Sequence, residues 1–150
     1  MDREFQIETV AWPSEQASLL EVRHRVFVEE QNVPEEIEVD EYDPIAKHLL
    51  ARDLEGSPIG TARFHRPLPD EQPRLGKVGR VAVLAEWRRH RVGSALMNSL
   101  MQLAGTEGLD ELVLHAQVTS IPFYESLGFE AEGPVFREAD IPHRVMRRRL

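Results

Sequence analysis

Cysteine is absent from the 150-residue chain. Its absence excludes disulfide stapling, thiol nucleophiles and Cys-based zinc or iron–sulfur sites. Long apolar runs are missing too: no segment approaches the roughly eighteen consecutive apolar residues of a membrane-spanning helix. The acidic start Met1–Asp2–Arg3–Glu4 is not a signal peptide. These features predict a cytoplasmic protein with no membrane partner. Lys and Arg number 18 against 26 Asp and Glu, for a formal net charge of −8. The chain therefore lacks the broad basic footprint of a nucleic-acid binder. His24, His48, His65, His90, His115 and His143 are scattered, with no His-Glu-x-x-His or comparable ligand spacing, so no metal is expected. No Gly-x-x-x-x-Gly-Lys-Ser/Thr loop is present either.

What is there suffices for one domain, residues 1–150, with a sizeable core. Phe5, Ile7 and Thr9–Val10 alternate as a first strand. Pro13–Ser14 starts a helix carrying Ala17, Leu19, Leu20, Val22, Val26 and Phe27, with Ser14 as its cap and Pro13 just outside the first turn. The acidic Glu29–Pro44 stretch, broken by Pro34, reads as a short helix followed by a loop over a site. His48–Asp53, Ile59–Arg66 and Lys77–Leu84 form an antiparallel meander, joined by a Glu55–Gly56 turn and a proline-rich Pro67–Pro73 connection. From Val92 the period becomes helical: Val92, Ala95, Leu96, Ser99, Leu100, Leu103 and Ala104 share one face, ending at Gly105 or Gly108. Leu112–Leu114 is a brief strand, Val118–Leu127 a helix stopped by Gly128, and Phe129–Ala131 begins another strand. Val145–Arg149 alternates as a final edge strand through which a homodimer could pair. The order gives a mixed α/β sheet rather than a regular βαβ repeat.

Chemistry concentrates at Arg88–Arg89–His90–Arg91–Val92–Gly93–Ser94, where a strand hands over to a helix. The first amides of a helix have no intrahelical partner, so a basic turn there suits a phosphorylated ligand. Arg88–Gly93 resembles the acyl-CoA pyrophosphate loop of the GNAT superfamily of N-acetyltransferases, Arg/Gln-x-x-Gly-x-Gly/Ala, with Arg91 replacing the first glycine. Phe123–Tyr124–Glu125–Ser126–Leu127–Gly128–Phe129 is similar to the family's tyrosine-bearing helix and following strand. Arg23–Gln31, Glu38–Asp43, His115–Gln117 and Ile141–Met146 resemble its ElaA/YjcF-like branch.

The resemblance implies a single-domain GNAT fold: a mixed, mostly antiparallel twisted sheet flanked by helices, with a splay between the fourth and fifth strands. It implies acetyl-CoA as cosubstrate. The pyrophosphate would lie on the Arg89–Ser94 amides, with Arg88, Arg89 and Arg91 adding charge-assisted contacts. His90 and Val92 belong to the same turn. Val81–Ala82–Val83 would pair with pantetheine through their backbone, and Phe123 would form a pocket wall. Gln117 would offer its amide near the cofactor. Tyr124 would donate a proton or hydrogen bond to the departing sulfur; the competing role is a buried structural tyrosine. Glu30, Glu38, Asp40, His115 and His143 remain open as acceptors of the amine's proton. The acceptor is a small-molecule amine or a peptide or protein amine, and the acidic Glu29–Asp43 segment favours a cationic one. The alternative is a CoA-binding regulatory or interaction module without useful transfer activity.

Overall fold

The computed structural model describes residues 3–67 and 72–150. Its seven strands are β1 (Phe5–Val10), β2 (Lys47–Asp53), β3 (Pro58–His65), β4 (Leu75–Val83), β5 (Glu111–Gln117), β6 (Glu130–Glu138) and β7 (Ile141–Arg149). They form one sheet in the order β1-β2-β3-β4-β5-β7-β6. Every pairing is antiparallel except β4–β5. The helices are α1 (Trp12–Arg23), α2 (Glu35–Glu38), α3 (Val92–Thr106) and α4 (Ile121–Ser126), and a π-helical segment, His24–Glu30, continues α1.

β3 is the centre of the layers and is buried at each residue from Ile59 to His65. Side chains alternate across a strand. Gly60 therefore lies under Val92 and Leu96 of α3, where a Cβ would meet Leu96 at 3.0 Å. Arg63, on the other face, reaches Asp40 and Asp43. α3 inserts Val92, Leu96, Met97, Leu100 and Ala104 into the core, close to the helical face expected from its period.

Some local expectations are corrected. Ser14 does not cap α1: the helix starts at Trp12, Pro13 lies within its first turn, and the Ser14 hydroxyl donates back to the Ala11 carbonyl at 3.3 Å. The expected face of this helix also shifts: Trp12, Leu19 and Val22 are buried, whereas Ala17 is exposed. The Val118–Leu127 helix is divided into a 3₁₀ turn, Val118–Ser120, and the six-residue α4. β7 is not an edge. It lies between β5 and β6, and its Arg147 reaches a glutamate on each neighbour, Glu111 and Glu132. The true edge, β6, is blunted by Pro134 and by a bulge between Glu132 and Phe136 with Gly133 at φ +73°. The proline-rich connection expected at Pro67–Pro73 lies mostly outside the described residues.

The feature that positions the site is a parting of strands. β4 and β5 pair only from Leu75↔Glu111 to Val78↔Leu114. Immediately beyond, β4 carries one residue more than β3, because Arg63 faces Gly79 while Thr61 faces Ala82. The extra residue is accommodated at Arg80, whose φ is +51°. The Thr61 hydroxyl holds this bulge by donating to the Arg80 carbonyl at 2.9 Å. A bulge bends its strand, and here β4 turns away from β5 from Gly79 onward.

Candidate active site

A cleft of about 1350 Å³ opens where the strands part. β4 contributes Val81, Ala82 and Val83, and their backbone groups on the β5 side have no strand partner beyond Val78. The following turn contributes Arg88, Arg89 and Arg91, and the first turn of α3 contributes Val92, Gly93 and Ser94. The first backbone bond into α3 runs from the Ala95 N–H to the Arg91 carbonyl at 3.0 Å. The amides of Val92, Gly93 and Ser94 thus precede the helical ladder and suit an anion. Arg89 and Arg91 hold φ of +66° and +67°. Arg91 therefore occupies a left-handed position where glycine carries no Cβ penalty. Gly93 lies against Phe123: a Cβ there would meet the ring at 3.2 Å.

Arg88 and His90 of this segment have partners of their own. Arg88 donates Nε to the Val83 carbonyl at 3.1 Å and both terminal nitrogens to Glu30 at 2.7 Å. His90 turns from the cleft toward Trp87, with ring centroids 6.1 Å apart and a buried Nδ1 that has no hydrogen-bond partner among the described residues. Gln117, at the end of β5, exchanges amide hydrogen bonds with Gln31 across the cleft at 2.9 and 3.5 Å.

Tyr124 stands on α4 at the cleft, 8% exposed, with Phe123 and Phe129 packed edge-on against its ring. Burial pushes its phenol well above the ordinary value. The hydroxyl therefore remains a proton donor throughout the neutral range.

The proposed proton acceptors separate into two sets. Glu30 is outside the cleft lining, and the hydrogen bond from Arg88 holds its carboxyl below the ordinary value. Glu38, Asp40 and Asp43 belong to a buried lattice with arginines from three elements. Arg23 of α1 forks onto Asp43 at 2.9 and 3.0 Å and reaches Glu38 at 2.6 Å. Arg63 of β3 forks onto Asp40 at 2.8 Å and meets Asp43 at 2.6 Å. Arg80 of the β4 bulge meets Asp40 at 3.1 Å. Burial alone would raise the Asp40 carboxyl, but Arg63 and Arg80 prevail and hold it at about 2. The preference for a cationic acceptor expected from this acidic segment thus loses three of its carboxylates to internal arginines.

His115 and His143 are different: both line the cleft, on β5 and β7, near the start of the split. Sequence reasoning missed their shared neighbour Glu138, whose carboxylate lies 3.0 Å from His115 Nδ1 and 3.8 Å from His143 Nε2. It also missed Gln31 and Arg80. No local motif marks Glu138 or Arg80; strand register and the β4 bulge bring them to the cleft. Among the described residues, no three His, Asp or Glu side chains converge as metal ligands would, and no helix is long and apolar enough to cross a membrane.

Comparison with known proteins accounts for this arrangement. The profile of the Acetyltransferase (GNAT) family matches residues 11–129. The chain is 36% identical over 126 residues to YjcF, an uncharacterized N-acetyltransferase of Bacillus subtilis, covering 83% of this chain and 86% of YjcF. The crystal structure of Escherichia coli ElaA superposes with a TM-score of 0.85 at 28% identity, covering 97% of this chain and 99% of that one. An acyl-CoA N-acyltransferase from Pseudomonas aeruginosa gives a TM-score of 0.82 at 32% identity, with coverage of 97% and 99%. With its strands parted between β4 and β5 and its basic turn at the head of α3, the chain belongs to the GNAT acetyltransferase family, in the branch of YjcF and ElaA, and is an acyl-CoA-dependent N-acyltransferase.

Proposed function

We propose that the protein transfers an acetyl group from acetyl-CoA directly to a primary amine, with residues 1–150 acting as one domain. The observation that carries this reading is the juxtaposition of the β4 edge freed beyond Val78, the unladdered amides of Val92–Ser94 and the buried Tyr124 along one cleft. These groups fit the three parts of acetyl-CoA. The amides and the cations of Arg89 and Arg91 suit its pyrophosphate. The unpaired β4 backbone suits the pantetheine amides, and Tyr124 suits the sulfur.

In this mechanism the chain supplies orientation and proton management rather than a covalent nucleophile. β4 and the α3 turn hold the thioester at the split. Tyr124 gives its hydroxyl proton to the sulfur as the carbon–sulfur bond breaks, an interaction strongest when charge develops there. The proton lost by the amine goes to the histidine side of the cleft, because arginines bind the Glu30, Glu38 and Asp40 carboxylates. The acceptor belongs to the class of small-molecule or peptide and protein amines, and the net charge of −8 supports a partner other than nucleic acid.

The test is thiol release from acetyl-CoA across a broad amine panel, with mass detection of products. Amine-dependent release with a product heavier by one acetyl group is the expected result. CoA binding by calorimetry without transfer to any amine would favour a CoA-binding regulatory module instead.

A further inference from the structure

The β6–β7 hairpin carries a cluster that the reading above uses only in part. Glu138 and Ile141 pair at the end of the ladder, joined by Ala139 and Asp140 with φ of +51° and +63°. Positive φ at both central residues makes a tight two-residue turn whose twist matches the strands. The turn fixes Glu138 beside the cleft. Its carboxylate reaches His115 Nδ1 at 3.0 Å and lies 3.8 Å from His143 Nε2. Phe136 packs against both rings, edge-on to His115 with centroids 5.0 Å apart and stacked on His143 at 5.9 Å.

Donor and acceptor logic settles the tautomers. His143 Nδ1 is 2.6 Å from the Ile141 carbonyl. A carbonyl only accepts, so Nδ1 carries the hydrogen and Nε2 the lone pair. His115 Nδ1 faces a carboxylate, so it too carries the hydrogen. That leaves His115 Nε2 as the free base on a half-exposed ring, while His143 is 6% exposed. The remaining charge facing Glu138 comes from Arg80 of the β4 bulge, and Gln117 is the β5 neighbour of His143.

We propose that His115 Nε2 accepts the amine's proton and that Glu138 is its positioning residue, with His143 sharing the same carboxylate as a second proton-holding site. The assignment rests on the transferase reading above. When the amine nitrogen bonds to the thioester carbon, one proton passes from nitrogen to His115 and one from Tyr124 to sulfur. The imidazolium and the tyrosinate return to rest by exchange with solvent, leaving amide and free thiol. Glu138 holds His115 with its lone pair toward the cleft and stabilises the imidazolium, as a carboxylate does for a general-base histidine. The hydrogen bond from His115 keeps the Glu138 carboxyl below the ordinary value, so it is ionised at neutral pH.

The first arm of the test needs no acceptor. Imidazole ¹⁵N spectra of the full chain at alkaline pH should show the Nδ1–H tautomer for both rings. In Glu138→Ala, His143 should keep that form while His115 reverts toward Nε2–H. An Nε2–H form of His115 in the wild type, or no change in the variant, overturns the proposal whatever the activity. The second arm is kinetic. Glu138→Gln should lower kcat about tenfold or more and leave the KM for acetyl-CoA unchanged. Adding Glu138→Gln to His115→Ala should cost less than about twofold further, since the two act as one unit. Wild-type kcat in Glu138→Gln overturns the role of Glu138. Failure of the wild type to acetylate any amine would instead reject the transferase reading, with the tautomer result still judging this cluster.

Discussion

At the scale of single residues, the proposed mechanism divides the work between groups that would touch the reacting atoms and groups that hold others in place. Tyr124→Phe keeps the ring that packs against Phe123 and Phe129 and deletes only the proton. Turnover should fall by about 10²-fold or more while acetyl-CoA affinity stays within about twofold. Parallel steady-state kinetics and calorimetry separate the two. Glu30 makes the opposite case. Its pair with Arg88 is exposed, at 41% and 43%, and such pairs contribute about 0–1 kcal/mol to stability. Glu30→Gln should therefore leave kcat unchanged and tighten CoA binding at low salt, because Arg88 is released toward the pyrophosphate. A large loss of kcat would make Glu30 the base instead. Tyr124 and the Arg88–Gly93 turn were legible in the sequence because their chemistry sits in contiguous motifs. Glu138 was not, because its link to His115 spans 23 residues and exists only through hairpin register.

At the scale of elements, the acidic segment around α2 is a clamp rather than a solvated face. The arginines that neutralise Glu38, Asp40 and Asp43 come from α1, β3 and β4, up to 42 residues away in sequence. A local reading sees only the carboxylates and infers a cationic partner. Asp43 is fully buried and joined to both Arg23 and Arg63. Asp43→Ala leaves two buried guanidinium groups short of a partner and should cost about 3–5 kcal/mol, read from urea unfolding. Asp43 and Asp40 both have carboxyls held low, Asp40 at about 2. Because the folded values lie below the unfolded value of about 3.9, their contribution is present above that pH. It is lost as pH falls through the folded values. The urea midpoint should drop between about pH 4 and pH 2, and Asp40→Asn should flatten that drop.

At the scale of the whole molecule, the first strand, the meander β2–β4 and the long α3 were readable from alternation and helical period. The insertion of β7 between β5 and β6 was not, because sequence order does not reveal that the last strand returns to the interior of the sheet. That insertion matters for the proposed chemistry: it places His143 opposite Gln117 at the end of β5, in the same cleft as the Arg88–Gly93 turn. Ligand binding should therefore register as global stability. A ligand at about 100 times its Kd stabilises the folded state by about 2.7 kcal/mol, or roughly 5–10 °C in Tm for a chain of this size. CoA alone suffices as the probe, so the experiment is independent of the acceptor. Gly93→Val is the informative variant, because a side chain there must displace the Phe123 ring, which an added Cβ would meet at 3.2 Å. Phe123 is partly buried and borders the cleft, so it can yield toward the space that CoA would fill. The unliganded Tm should then change by the equivalent of about 1–3 kcal/mol, while the CoA-dependent rise shrinks to less than half of that in the wild type. An undiminished rise in a folded Gly93→Val protein would remove the head of α3 from the CoA site and shift the search to the β4 edge alone.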